Sequence, residues 1–201
     1  MNPLRHEGII IPSNVCYTSV GINLKNVGLE MPLGFLLCKK YLKTNYLWEN
    51  IRVKGGAYGA IMSADRGGDV MLISYRDPNV EQTYKVYDNI ANELRNLKLT
   101  EKEIHDVIIG TAGELDSPMQ PYSRGRKALY NIYLDNSFED ECKVRDSILS
   151  AVPGKLNECA YVFEALKEKG VRVTLASRNK LNEATDRFDQ IYSIKQGNSQ
   201  K

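Results

Sequence analysis

The chain has fewer metal-ligating residues than a zinc hydrolase needs, and it has none of the common hydrolase signature motifs. It contains two histidines, His6 and His105, and neither stands in H-E-x-x-H or in the inverse H-x-x-E-H. A zinc hydrolase needs about three protein ligands around one metal. Glu103 and Asp106 do not complete a set with His105, because helical side chains one or two positions apart do not face each other. G-x-S-x-G and the P-loop are also absent. We therefore predict no metal or cofactor in this chain.

The four cysteines show no pairing motif. They form no C-x-x-C, and their spacing matches no zinc site; they are Cys16, Cys38, Cys142 and Cys159. Free cysteine is among the most buried residue types. We expect all four to be buried, reduced side chains in a reducing compartment.

Long apolar runs and a strong excess of one charge are missing as well. No apolar stretch reaches the ~20 residues that span a bilayer, and the start MNPLRHEGIII lacks the apolar core and cleavage site of a signal peptide. Charged residues make up 26% of the chain and the net charge is +2. This balance argues against nucleic acid or a membrane as the main partner. We expect a soluble protein of the cytoplasm or of an organelle lumen.

What is present is the pattern of one α+β domain, for which 201 residues suffice. Segments rich in β-branched and aromatic residues predict four strands in one sheet, at 14–23, 58–65, 69–75 and 171–176. Apolar residues at three- and four-residue spacings predict helices at about 33–50, 80–94, 100–115, 122–134, 138–151 and 153–170. Hairpins come early and helices later, so we predict a two-layer sandwich whose mostly antiparallel sheet is covered by helices on one face. The predicted domain covers 1–182, and the polar tail 183–201 is expected to be partly disordered.

Local turn and cap residues mark several boundaries. DRGGD predicts a tight hairpin turn, because its two glycines allow positive φ. Thr100 stands three residues before Glu103, the pattern of a capping box. Asp77 and Pro78 are expected to start one helix and Ser137 to cap another.

The stretch RVKGGAYG at 52–59 joins the first long helix to the hairpin. Two interpretations fit its residues. In the first, Arg52 interacts with the negative end of the preceding helix, the glycines end that helix, and Tyr58 starts a strand. In the second, Arg52 and Tyr58 bind the backbone of a peptide, and Gly55 and Gly56 let that backbone pass closely.

A family resemblance favours the second interpretation. The run YLKTNYLWENIRVKGGAYG and the later SYRDPN resemble the C-terminal part of pitrilysin/insulinase-type zinc metallopeptidases of the presequence-protease (falcilysin-like) subfamily. EGIIIPSNVCYTSVG before this run and GVRVTLASRNK after it are also similar. The resemblance covers roughly residues 7–180 and is strongest over 41–89.

The resemblance implies a processing-peptidase-like domain at the C-terminal end of a hinged, four-domain enzyme. In such enzymes the first domain holds zinc on H-x-x-E-H, and the last domain contributes an Arg and a Tyr that reach the substrate. Arg52 and Tyr58 match that pair by position. The sequence departs from the pattern of the whole enzyme because it has no zinc motif. The implied parent is a zinc metalloendopeptidase that degrades short unfolded peptides, with its zinc and its N-terminal catalytic half outside this chain.

Two other functions fit the same residues. The chain could be a non-catalytic peptide-binding or interaction module, or the structural core subunit of a processing complex with this fold. H-x-x-E-H upstream in the same reading frame would favour the peptidase. In that case we also expect an exposed apolar surface on this domain, where the missing parts dock.

Overall fold

A computed structural model describes residues 5–193 and places six strands in one sheet. In chain order the strands are β1 (Glu7–Ile10), β2 (Cys16–Asn23), β3 (Gly59–Ala64), β4 (Asp69–Asp77), β5 (Val171–Ala176) and β6 (Gln190–Ser193). Their order across the sheet is β3-β4-β2-β5-β1-β6. The first four in that order pair antiparallel, whereas β1 runs parallel to both β5 and β6. The mostly antiparallel sheet and its four predicted segments are confirmed.

Helices form the second layer. α1 (Phe35–Tyr41) continues as π-helical turns over Leu42–Tyr46 and Trp48–Val53. The other α-helices of the described residues are α2 (Glu81–Asp88), α3 (Ile90–Asn96), α4 (Glu101–Leu115), α5 (Pro121–Tyr133), α6 (Phe138–Leu149), α7 (Ala160–Lys169) and α8 (Arg178–Asn182). Short 3₁₀ turns lie at Lys25–Val27, Lys155–Cys159 and Thr185–Arg187.

Alternating burial along the strands shows which face of the sheet the helices cover. Every second residue is buried over 16–22 in β2 and over 70–74 in β4. Successive strand residues point to opposite faces, so the buried residues share one face. α7 packs there and stacks Phe163 on Phe35 of α1, with the ring centroids 5.9 Å apart. The odd-numbered residues over 17–23 in β2 and over 69–75 in β4 lie on the other face, which is less buried.

A tyrosine ties the helix layer to the sheet. Tyr84 of α2 is fully buried, and its hydroxyl donates to the Ser19 carbonyl at 3.1 Å. A second hydrogen bond of 2.8 Å joins it to the hydroxyl of Thr174 on β5. Burial raises the pKa of Tyr84 to about 12, so the phenol stays neutral at physiological pH and its polar atom is satisfied inside the core.

Two of the predicted helix caps are confirmed. Thr100 accepts a hydrogen bond from the Glu103 N–H, and the Glu103 carboxylate accepts one from the Thr100 N–H at 2.7 Å. Ser137 and Asp140 make the same reciprocal pair at the start of α6. These caps satisfy backbone donors that a helix N-terminus otherwise leaves without partners.

Several helix boundaries differ from the predictions. Asp77 does not start a helix, because β4 extends through it and α2 begins at Glu81. The helix predicted over 80–94 is divided at Asn89 into α2 and α3. The helix predicted over 153–170 begins as a 3₁₀ turn, and α7 starts at Ala160.

The chain after Asn182 continues to pack against the rest of the domain. Ala184 is buried, Arg187 forms ion pairs with Glu81 and Asp88 of α2, and β6 pairs with β1. The predicted boundary at 182 therefore does not mark the end of the folded part. The remainder of the predicted tail, 194–201, lies outside the described residues.

The cysteines are all unpaired, but they are not all buried. Cys16, Cys38 and Cys159 are buried, whereas Cys142 on α6 is only partly so. Burial raises the pKa of the Cys16 thiol to about 11, which keeps that thiol protonated and unreactive. Over residues 5–193, no helix is both long and apolar enough to cross a membrane.

α5 differs from the other long helices because none of its residues is buried. Hydrogen bonds of 2.9 Å from Lys127 and from Asn131 to Glu141 connect it to α6. Its large apolar side chains are nevertheless exposed: Tyr122, Leu129, Tyr130, Ile132 and Tyr133. The structure thus exposes large apolar side chains on α5, and their role as the docking surface that the sequence analysis expects stays a prediction.

Candidate functional site

The helix that enters the RVKGGAYG joint is wound more loosely than an α-helix. The Lys54 N–H donates to the Glu49 carbonyl at 2.9 Å, five residues earlier, and beyond the end of the helix the Ala57 N–H donates to the Ile51 carbonyl at 3.1 Å. Single π turns are rare in proteins and are frequent at functional sites. The helix ends at Val53, beyond the predicted 50, so Arg52 lies in its last turn.

Both glycines of the joint are required by the backbone. A Cβ on Gly55 would lie 2.5 Å from the Ile51 carbonyl oxygen, closer than real Cβ atoms come. Gly56 has φ +77°, in the left-handed region that favours glycine. A side chain beyond the joint also stabilises it, because the Asn79 amide donates to the Gly55 carbonyl at 2.8 Å. The contact of Gly55 and Gly56 with substrate stays a prediction.

Tyr58 leaves the joint with its ring in solvent. Its N–H donates to the Arg76 carbonyl at 3.2 Å, which aligns it with the end of β4. The ring packs edge-on against Tyr75, at a centroid distance of 5.1 Å, and the side chain is 60% exposed. Gly59 makes room for this pair, since a Cβ there would lie 2.6 Å from the Tyr75 ring. The Tyr58 hydroxyl makes no hydrogen bond to any other described residue.

Arg52 is also exposed, and its guanidinium stacks on an aromatic ring. The Arg52 Cζ lies 3.9 Å from the centroid of the Trp48 ring, one helical turn earlier. Arg52 forms no ion pair within residues 5–193. The stacking fixes the direction of the planar group and leaves its N–H donors available. Arg52 and Tyr58 thus make separate contacts, each at one end of the joint.

Arg76 is a third polar side chain at this surface, and the sequence analysis did not select it. Its Cζ lies 5.9 Å from the centroid of the Tyr58 ring. Its backbone φ is +49°, which is uncommon for a residue with a Cβ. Asp77, directly after it, is fully buried and accepts hydrogen bonds from the Asn79 N–H at 2.8 Å and the Thr83 hydroxyl at 2.6 Å. The motif SYRDPN, already part of the family resemblance, was the signal that could have identified Arg76.

The surface offers hydrogen-bond donors and stacking rather than acid–base chemistry. We call Arg52, Tyr58 and Arg76, with the supporting rings Trp48 and Tyr75, the donor surface. Two guanidinium groups and a phenol suit a carbonyl oxygen, an oxyanion or a carboxylate. Among residues 5–193 no three His, Cys, Asp or Glu side chains are grouped so that they could hold a metal ion.

A family model described as "PreP C-terminal domain" matches residues 6–178. The chain belongs to this family. Presequence protease 1, chloroplastic/mitochondrial, of Arabidopsis thaliana is 31% identical over 194 residues, covering 96% of this chain and 18% of the plant protein. Protein HypA of Clostridium perfringens is 34% identical over 191 residues, covering 94% of this chain and 20% of HypA. This PreP C-terminal domain thus spans about a fifth of the length of these relatives, and the family resemblance seen in the sequence is confirmed.

Solved structures show the same fold at low identity. A peptidase M16 inactive domain from Pseudomonas fluorescens aligns with a TM-score of 0.64 and 19% identity, over 87% of this chain and 44% of that one. Pitrilysin aligns with a TM-score of 0.52 and 13% identity, over 86% of this chain and 19% of its own. The PreP C-terminal domain therefore has the fold of an M16 peptidase domain, in agreement with the predicted processing-peptidase-like sandwich.

Proposed function

We propose that this PreP C-terminal domain grips the substrate of a zinc metalloendopeptidase that degrades short unfolded peptides. Arg52 and Tyr58 donate hydrogen bonds to the backbone carbonyl of the peptide at the bond that is cleaved. The observation that carries the proposal is that Arg52 and Tyr58 are exposed, whereas the backbone between them has a geometry that requires glycine. Neither side chain is needed to fill the core, yet two glycines hold them in place, one without room for a Cβ and one at positive φ.

The chemistry of peptide cleavage calls for such donors. When water attacks a peptide carbonyl, negative charge develops on its oxygen, and fixed donors aimed at that oxygen stabilise the transition state. A guanidinium and a phenol act on the backbone, so they accept many peptide sequences. Zinc, when bound in the other half of the enzyme, polarises the same carbonyl and activates water. Within this chain, Arg52 and Tyr58 bind and orient the carbonyl.

The proposed partner is the N-terminal catalytic half of the same protein. Exposed apolar side chains on α5 support such a partner, because a helix with no buried residue gains little from folding onto its own domain. A docked domain would bury those side chains. The same partner would bring the zinc ligands that are absent from this sequence.

Peptide cleavage measured with and without the proposed half tests this function. A fluorogenic peptide of about ten residues is offered to this chain alone and to the longer polypeptide that also carries the zinc motif. We expect no cleavage and no stoichiometric zinc in this chain, and cleavage with one zinc in the longer one. Cleavage by this chain alone, or tight zinc bound through His105, would overturn the proposal. An inactive longer polypeptide that still binds peptide would favour the interaction module instead.

A further inference from the structure

β3 forms one edge of the sheet and has few of the features that usually protect an edge strand. It pairs with β4 and, among the described residues, with no other strand. Its six residues, GAIMSA, include no charged residue and no proline, and its register with β4 has no bulge. Proteins normally protect edge strands with lysine, proline, bulges or very short length, because unpaired backbone groups recruit other chains.

The opposite edge is built differently. β6 is four residues long and follows Asp189, whose carboxylate accepts from the His6 N–H at 2.8 Å. Gln190 at its start accepts a hydrogen bond from Arg5 at 3.3 Å. Short length is one of the usual protections, and the charged side chains of Arg5 and Asp189 beside this strand provide another. The lack of protection is therefore specific to β3.

β3 begins beside the donor surface. Tyr58 directly precedes its first residue, Gly59, and Arg76 stands opposite Tyr58 through the backbone hydrogen bond from Tyr58. Neither Arg52 nor Arg76 pairs with a carboxylate within residues 5–193. Along the strand itself the exposed side chains are Ile61, at 46%, and Ser63. An occupant of this edge therefore meets unpaired backbone groups, small or apolar side chains, and positive charge at one end.

We propose that an extended peptide adds to the sheet as a seventh strand along β3, with a carboxylate of the peptide beside Arg76. Main-chain hydrogen bonds to β3 supply sequence-independent affinity, as in other cases of strand addition. The charge at one end favours peptides with an acidic residue there. The inference rests on the proposed function in one respect, namely that the same peptide passes Tyr58. It adds the conformation of the substrate and the strand that holds it.

Backbone methylation of a probe peptide tests strand addition without changing the protein. The probe is a blocked decapeptide of alternating threonine and valine with a glutamate at each end, so that either strand direction places a carboxylate beside Arg76. Two derivatives carry N-methyl groups on alternate residues, one on the odd and one on the even positions. Only one set of peptide N–H groups faces β3 in a strand pair. We expect one derivative to lose measurable binding to the 201-residue chain and the other to bind within about twofold of the parent, because only the first lacks the required donors.

Amide hydrogen exchange on the protein supplies the second measurement. The parent peptide is expected to slow exchange in Gly59–Ala64 and to leave Gln190–Ser193 unchanged. A decapeptide with lysine at each end is expected to bind roughly tenfold more weakly, as charge repulsion near Arg52 and Arg76 predicts.

The outcomes separate this inference from the proposed function. Equal binding of both methylated derivatives, protection of β6 instead of β3, or no saturable binding of the parent at millimolar concentration would each overturn strand addition. The proposed function would survive these results if substitutions of Arg52 and Tyr58 still reduced turnover in the longer polypeptide. Conversely, dependence on one methylation pattern together with normal turnover of those variants would uphold strand addition and refute the role of the two side chains.

Discussion

The helix-covered side of the sheet and the joint at residues 52–59 differ in whether their side chains are buried and in whether their backbone is regular. On the covered side, side chains such as Phe163 and Leu72 fill the core, and the backbone around them is regular strand and helix. In the joint, the backbone is irregular and requires glycine, whereas Arg52 and Tyr58 extend into solvent.

Residues on the covered side stabilise the fold, whereas Arg52 and Tyr58 are held by the fold in exposed positions. Burial of apolar area is the main source of stability, and an exposed side chain contributes little to it. The backbone of the joint nevertheless costs free energy, since π turns and left-handed residues are less favourable than regular helix. Such a cost without a side-chain packing gain is typical of functional sites.

Removing a ring on the covered side should cause the largest loss of stability. Phe163 is 1% exposed and stacked on Phe35, so Phe163→Ala is expected to lower the free energy of unfolding by about 3–5 kcal/mol. Phe138→Ala is the matched control, because Phe138 is 80% exposed at the start of α6. Urea denaturation followed by circular dichroism measures both. Similar losses in the two variants would mean that the covered side is not the core.

Adding a methyl group in the joint should have the next largest effect. Gly56→Ala must adopt φ near +77°, which costs roughly 1–2 kcal/mol for a residue with a Cβ. Gly55→Ala must also move the Ile51 carbonyl away from its Cβ, so its loss should be at least as large. Gly125→Ala, in α5 with nothing within 4 Å of the added Cβ, should instead gain up to about 1 kcal/mol. Thermal melts of the three variants check this order, and a stabilising Gly56→Ala would contradict the joint geometry.

The ion pairs of Arg187 should make stability depend on pH. The Arg187 guanidinium binds the Glu81 carboxylate and lowers its pKa. A carboxyl whose pKa is lowered by folding contributes stability above its unfolded pKa, about 4.3 for glutamate, and loses that contribution as the pH falls through the lowered value. Arg187→Met should therefore cost about 1 kcal/mol at pH 7 and less at pH 3. Melting temperatures at both pH values test the sign, and an equal difference at pH 3 would contradict the role of Glu81.

Substitutions on α5 should barely change stability. Tyr133 is 78% exposed and Ile132 is 77% exposed. We expect Tyr133→Ser and Ile132→Ser to change the free energy of unfolding by less than about 0.5 kcal/mol. The same urea titrations measure them. A loss above 1 kcal/mol would show that α5 packs on its own domain rather than presenting a surface to a partner.

The sequence predicted those elements that depend on only a few neighbouring residues. DRGGD indicated the β3–β4 hairpin, and Thr100 with Glu103 indicated the start of α4, because turns and caps depend on a few neighbouring residues. Parallel pairing of β6 with β1 was missed, since it joins residues more than 180 positions apart and follows a polar sequence. The π-helical turns and the positive φ of Arg76 were missed because no residue type near them requires either conformation. The structure shows that Arg52 and Tyr58 are exposed, and their role in binding peptide stays a prediction.

The most direct test of the account is turnover by the longer polypeptide carrying Tyr58→Phe. The substitution removes one hydroxyl that makes no hydrogen bond to the described residues. We expect kcat to fall about 10²–10³-fold, as for other donors to an oxyanion, while the melting temperature stays unchanged. Tyr122→Phe removes the hydroxyl of another exposed tyrosine, on α5, and should leave both quantities unchanged. Arg52→Lys keeps the charge but loses the planar group, and should retain only part of the activity. Wild-type kcat in Tyr58→Phe, or a loss of activity that follows a lower melting temperature, would contradict the account.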